Sequence, residues 1–207
     1  MNNILLHGLG QTCDNWNNVI SYLNKNNIET LNPNIFQFCR NNDYSYNALY
    51  KSFSDYCDSL KGKVNLCGLS LGGLITLDYA KKNPDKVNSL IIIGVPYVIP
   101  KKLFKFQNFI FKLMPKKIFT EMGITKEQFI SLINSMSKLE INKDLDKIKS
   151  KALIIYGSKD KANLKYADYF RKSLKESKVK IIKNSSHEVN KDNYHDLSKE
   201  IINFWIS

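Results

Sequence analysis

The stretch Gly68-Leu69-Ser70-Leu71-Gly72 constrains this chain more than any other. It follows the apolar run Val64–Cys67 and precedes a helical pattern from Leu71 to Lys82. Together these predict a buried strand, a tight turn and a helix. A turn this sharp needs residues without side chains at both ends, because neighbouring backbones pass where any Cβ would clash. The residue between them is forced into a strained conformation. Ser70 would then stand clear at the end of a sheet, at a helix N-terminus whose free N–H groups favour developing negative charge. A glycine-rich connection of no chemical consequence accounts for the same five residues, so the rest of the chain has to decide.

Short apolar runs alternate with helical patterns. Ile4-Leu5-Leu6, Val64–Cys67, Leu90–Ile93, Ala152–Tyr156 and Val179–Ile182 read as strands. Ile28–Leu31 reads as a poorer, more polar strand near a sheet edge, ended by Asn32-Pro33. A helix is expected from about Ser45 to Leu60, another to Asn83-Pro84, and a closing one carrying Tyr194, Leu197, Ile201 and Trp205 at steps of three and four. The rhythm predicts an α/β fold with a parallel sheet and helices on both faces. Residues 96–150 break the rhythm and read as two to four helices. Length and a hydrophobic content of 43% fit one globular domain over residues 1–207.

Charge and cysteine usage narrow the partners. The chain carries a net charge of +12, yet Arg appears only at Arg40 and Arg171 and Lys is spread thinly, so nucleic acid is not an expected partner. No apolar run approaches the roughly 18–20 residues that span a bilayer. The start, Met1-Asn2-Asn3-Ile4, does not read as a secretory leader. The four cysteines, Cys13, Cys39, Cys57 and Cys67, lack C-x-x-C spacing, which favours free thiols in a reducing cytoplasm and offers no zinc site.

Four candidate chemical groups each follow a different predicted strand: the His7-Gly8-Leu9 turn, Ser70, Asp160 and His187. In a parallel sheet all four meet at one edge, where ligands of such folds bind. A serine needs a base, and a histidine, with its ordinary pKa of about 6.5, suits. The histidine needs a carboxylate to fix its tautomer. Rivals are few. His7 precedes the glycine turn, and His195 falls inside the closing helix, on its surface. Asp168 lies within a helix, and Glu188 points elsewhere if His187 points inward. The strand ending at Gly94 is followed by Val95-Pro96-Tyr97, without a carboxylate.

With His7-Gly8-Leu9-Gly10 and Trp16, Gly68-Leu69-Ser70-Leu71-Gly72, Gly157-Ser158-Lys159-Asp160 and His187 in view, the chain resembles the α/β-hydrolase superfamily over nearly its whole length. The resemblance implies Ser70 as nucleophile, His187 as base and Asp160 as its orienting carboxylate. It implies the backbone N–H groups of Leu9 and Leu71 as an oxyanion hole. The implied chemistry is acyl transfer without metal or organic cofactor. The expected substrate is a small carboxylic ester with an apolar acyl part. The same groups would serve a thioester, an amide or a carbon–carbon bond, and a non-catalytic binding protein on this fold is the reading of another class. Members of the superfamily usually begin with a β-hairpin before the His-Gly strand, and only Met1–Asn3 precede it here, so the resemblance implies a reduced, mostly parallel sheet of about six strands with a small helical cap at about 96–150.

The cap segment places Leu103, Phe106, Ile110 and Leu113 on one helical face beside a stripe of Lys101, Lys105, Lys112 and Lys116. Such a face would cover an apolar acyl pocket or offer charge to an anionic membrane surface. An ordinary lid, packed by its apolar side with its lysines in water, has the same pattern.

Overall fold

The computed structural model describes residues 1–38, 43–99, 111 and 113–206. Five parallel strands form one sheet in the order of the chain: β1 (Asn2–Leu6), β2 (Val64–Leu69), β3 (Val87–Ile93), β4 (Lys151–Gly157) and β5 (Ser177–Ile182). Among the described residues the named helices are α1 (Asn17–Asn24), α2 (Tyr46–Ser59), α3 (Leu71–Lys82), α4 (Lys116–Glu121), α5 (Lys126–Met136), α6 (Ala167–Ser173), α7 (Val189–Asp192) and α8 (Tyr194–Ile206), with short 3-10 turns between some of them. Every residue of β2 is buried, as a central parallel strand covered on both faces requires. The edge strand β5 instead exposes Lys178 and Lys180 and blunts itself with charge.

The sheet has five strands where the sequence predicts about six, and the difference lies at Ile28–Leu31. That segment makes a single bridge, Leu31 with Ile4, through Leu31 N–H to Asn3 O at 2.7 Å and Leu5 N–H to Leu31 O at 2.9 Å. In a parallel ladder the next donor would come from residue 33, which is a proline and has none. On the other side the Asn3 side-chain amide takes the Glu29 carbonyl at 2.9 Å, the acceptor that a longer ladder would use.

Helices cover both faces of the sheet, but topology accounts for only one of them. The strands advance in one direction, so right-handed crossovers place α2, α3 and α6 on the same face. Their apolar sides meet Ile4, Leu6, Leu66, Leu90, Ile92, Ile154 and Tyr156 in the larger core. The opposite face, with Leu5, Cys67, Leu69, Ile91, Ile93, Leu153 and Ile155, is closed by Trp16 and Val19 at α1 and by Leu197 and Ile201 of α8. Alternation along each strand divides the two cores, as period two demands. Ser45 starts α2 by accepting a hydrogen bond from Ala48 N–H, a serine N-cap.

Between β3 and β4 the described residues carry α4 and α5. Thr125 and Gln128 close a reciprocal capping box at the start of α5. Phe119 and Phe129 pack edge to face and are buried in the larger core. The cap positions Leu103, Phe106 and Ile110, with Lys101, Lys105 and Lys112, lie outside the described residues. Cys13, Cys57 and Cys67 are free thiols, and burial pushes the thiols of Cys57 and Cys67 far up, so both are inert packing groups.

Candidate active site

The Ser70 junction takes the form its glycines allow. Ser70 sits at φ 52°, ψ −111° between β2 and α3, in a region that non-glycine residues enter at a cost. A Cβ on Gly68 would collide with the backbone of Gly72, and one on Gly72 would meet the carbonyl oxygen of His7 at 2.6 Å. The first turn of α3 is therefore pressed onto the end of β1. Ser70 N–H donates to Ile93 O at 2.8 Å, tying the turn to the end of β3. Among the described residues no group hydrogen-bonds to Ser70 Oγ.

His187 and Asp160 are brought together from the ends of β5 and β4. His187 Nδ1 lies 2.8 Å from Asp160 Oδ2, with the carboxylate nearly enclosed and the imidazole 38% exposed. Burial pushes the Asp160 carboxyl up, but hydrogen bonds from His187 and Asn163 outweigh it and hold the group below the usual carboxylate range. Asp160 is thus an acceptor near neutral pH, and the Nδ1 nitrogen of His187 is its donor. A neutral ring held this way carries its lone pair on the far nitrogen.

The imidazole lies against Gly94, which follows β3 at φ +62°. A Cβ there would stand 2.9 Å from both Cε1 and Nδ1 of His187. Ser70 is bonded to the residue before Gly94, so Ser70, His187 and Asp160 gather at the same end of β3. Among the described residues Ser70 Oγ and His187 are not hydrogen-bonded. Gly94→Ala is expected to displace the ring and lower kcat by ~10²-fold, because about 1 Å of misplacement costs that much. Steady-state kinetics with a circular dichroism check of fold would show it.

The glycine turn after β1 closes the other side. A Cβ on Gly8 would meet Ser70 Cβ at 3.3 Å, so the turn packs on the Ser70 junction. Among the described residues the N–H groups of Leu9 and of Leu71, the first residue of α3, have no hydrogen-bond partner. Donors of this kind, at a helix start and a glycine turn, are what a developing oxyanion uses.

His7 has a structural place. It is fully buried, Nε2 accepts Ile35 N–H at 3.1 Å, and Nδ1 lies 3.0 Å from Gly8 O. The imidazole thereby anchors the segment after Pro33 and the glycine turn. Burial pushes its pKa below the ordinary 6.5 despite the hydrogen bonds to Gly8 and Asn34. Below pH 6.5 the unfolded chain therefore takes up a proton that the folded chain refuses, and stability must fall with falling pH there. Urea midpoints at pH 7.5 and 5.5 should show that fall in the wild type and a smaller one in His7→Gln.

The rival groups stand apart from this cluster. His195, on α8, has a half-exposed ring against Tyr22 and lies near Asp196. Asp168, in the first turn of α6, pairs with Arg171 at the surface. Glu188 turns away from the imidazole and accepts from Gln11 Nε2 at 2.8 Å.

Sequence reasoning passes over two residues of the cluster. Asn163 donates from Nδ2 to both Asp160 oxygens at 3.1 Å, and its Nδ2 lies 3.3 Å from His187 Nδ1. Its spacing of three from Asp160 at a helix start is the only local signal. Gly94 was visible as a glycine after a strand, without any sign that a ring would rest on it.

A family model described as alpha/beta hydrolase fold matches residues 4–120, more than half of the chain. The chain belongs to the α/β-hydrolase fold family. It is 23% identical to the monoacylglycerol lipase ABHD6 of Mus musculus, over 99% of this chain and 75% of that protein. With the Homo sapiens form the identity is 22% over the same shares. An esterase of Exiguobacterium antarcticum superposes with a TM-score of 0.86 at 16% identity, covering all of this chain and 92% of the other. A thermophilic esterase of Thermogutta terrifontis gives 0.81 at 16%, covering 99% and 89%.

Proposed function

We propose that this chain is a serine esterase that hydrolyses a small carboxylic ester with an apolar acyl group through an acyl-enzyme. The observation that carries the reading is the His187–Asp160 pair resting on Gly94, one residue from the strand position to which Ser70 is bonded. Esterases and a monoacylglycerol lipase among the similar proteins point to the same bond type.

Each step uses a group described above. The imidazole nitrogen remote from Asp160 takes the Ser70 proton as Oγ attacks the carbonyl carbon. Asp160 holds the tautomer and stabilises the imidazolium. The N–H groups of Leu9 and Leu71 receive the oxyanion, a contribution of roughly 10²–10³-fold per donor in related chemistry. His187 then passes its proton to the leaving alcohol, and a water deprotonated by the same nitrogen releases the acid.

A panel of p-nitrophenyl esters from acetate to dodecanoate, with a monoacylglycerol and a thioester alongside, tests the reading. Highest kcat/KM on an oxygen ester is expected. Hydrolysis of the thioester alone would move the substrate class.

A second reading concerns the cap. Leu113 is 70% exposed and Ile118 37% exposed, beside Lys116 and Lys117, whose side chains stand mostly in water in loose pairs with Glu127 and Glu121. Apolar and cationic side chains in one exposed segment favour transient contact with an anionic lipid surface. Co-sedimentation with phosphatidylserine vesicles, and none with phosphatidylcholine vesicles, by wild type and Ser70→Ala alike is the expected result.

A further inference from the structure

The chain brings together two loops that are remote in sequence, the glycine turn after β1 and the loop carrying His187. A closed set of amide contacts joins them. Gln11 Nε2 donates to Glu188 Oε1 at 2.8 Å and to Asn190 Oδ1 at 3.2 Å. Asn190 Nδ2 returns a hydrogen bond to Gln11 Oε1 at 3.2 Å and gives its other hydrogen to Asn15 O at 3.1 Å. Gln11 also holds the glycine turn, through its own N–H to Gly8 O at 3.2 Å and a long contact from Gly8 N–H to Oε1 at 3.5 Å. Gln11 is 2% exposed and Asn190 1% exposed.

Every donor and acceptor of the Gln11 amide is therefore used, and so are both donors of Asn190. The two amides are buried, while the Glu188 carboxylate is 42% exposed and also accepts from Lys191; a satisfied network of this kind is directional and fixes one register between the parts that it joins. The other side of the histidine is held as well. Asp192 accepts from Ser186 N–H at 2.6 Å and from its hydroxyl at 2.5 Å. His187 thus stands between two tethered residues, Ser186 and Glu188. Of these, only the Glu188 tether reaches the turn that carries Leu9.

We infer that Gln11 is a positioning residue, which with Glu188 and Asn190 locks the proposed oxyanion turn and the proposed base into one register. The inference rests on the serine esterase reading for its kinetic consequence and on the contacts alone for its structural one. A residue in this role acts on the transition state. It holds Leu9 N–H where the oxyanion forms while His187 moves the proton. It touches no substrate, so ground-state binding should be nearly indifferent to it.

The test uses Gln11→Ala, Gln11→Glu and the exchanged pair Gln11→Glu with Glu188→Gln. In Gln11→Ala, kcat on the best ester is expected to fall ~10–100-fold with KM within about threefold of wild type, the signature of lost transition-state alignment. Gln11→Glu alone sets two carboxylates against each other and should lose as much. The exchanged pair restores a donor opposite an acceptor between positions 11 and 188 but leaves the new carboxylate against Asn190 Oδ1, so kcat should recover only in part, at least about threefold above Gln11→Glu. Unchanged kcat in Gln11→Ala, or an exchanged pair no better than Gln11→Glu, would overturn the inference. Amide hydrogen exchange decides it without turnover. Faster exchange in both the residues 8–11 and the residues 185–190 segments of Gln11→Ala supports the tie, and a rise confined to the first segment refutes it. A wild type that hydrolyses no ester would sink the proposed function and leave the exchange result to judge the tie.

Discussion

Ser70→Ala is expected to lower kcat/KM by roughly 10⁴-fold or more while leaving the melting temperature unchanged, as loss of a nucleophile does in acyl-transfer enzymes. The two halves of this expectation have separate causes. Activity goes because Oγ is the atom that forms the acyl bond, and no neighbouring group sits at the same strained junction. Stability stays because, among the described residues, Oγ has no hydrogen-bond partner to lose. The backbone bond from residue 70 to Ile93 O and the close packing of Gly68 and Gly72 do not involve the hydroxyl. Alanine keeps the Cβ and therefore keeps the strain at φ 52°. Ester kinetics and a thermal melt on the same preparation check both halves. A variant that melted several degrees lower would show that the hydroxyl has a structural partner.

Asp160→Asn is expected to cost about 10⁴-fold in kcat, the scale of a lost tautomer lock, with a much smaller effect on stability. Asp160 now accepts from His187 Nδ1 at 2.8 Å and from the Asn163 amide through both oxygens. An asparagine amide puts N–H hydrogens where one of those donors points. If its NH2 faces His187, the imidazole must accept at Nδ1 and carry its proton on the other nitrogen, where it cannot take one from serine. If its NH2 faces Asn163, two donors confront each other in a site that is almost closed to water. Asn163→Ala is milder, because the His187 bond survives. Measured rates for the two variants should rank in that order, and near-full activity of Asp160→Asn would move the acid role to another group.

Much of this arrangement is legible in the sequence because parallel sheets deliver strand ends to one edge. Ser70, Asp160, His187 and the His7–Gly10 turn each follow an apolar run, so their common location needs only the alternation of strands and helices. The Ser70 turn is legible for a second reason: Gly68 and Gly72 exclude other packings of β2 against α3. What eludes the sequence is contact between segments far apart in the chain. Asn163 is an unremarked residue until Asp160 is seen to turn toward it. Gln11 and Asn190 are 179 positions apart, and nothing local links two amides across that distance. Ile28–Leu31 shows the opposite error. Its β-branched and apolar character reads as a strand, but a ladder needs donors in alternation, and Pro33 removes the one that would have extended it. Glu188 gains its meaning only from the Gln11 side chain that it meets.

The most direct measurement is intact-protein mass spectrometry after exposure to a fluorophosphonate, followed by peptide mapping, on wild type and His187→Ala. The account predicts one adduct, on Ser70, in the wild type, and slow or no labelling in His187→Ala. An adduct elsewhere, or none on folded protein, would contradict it.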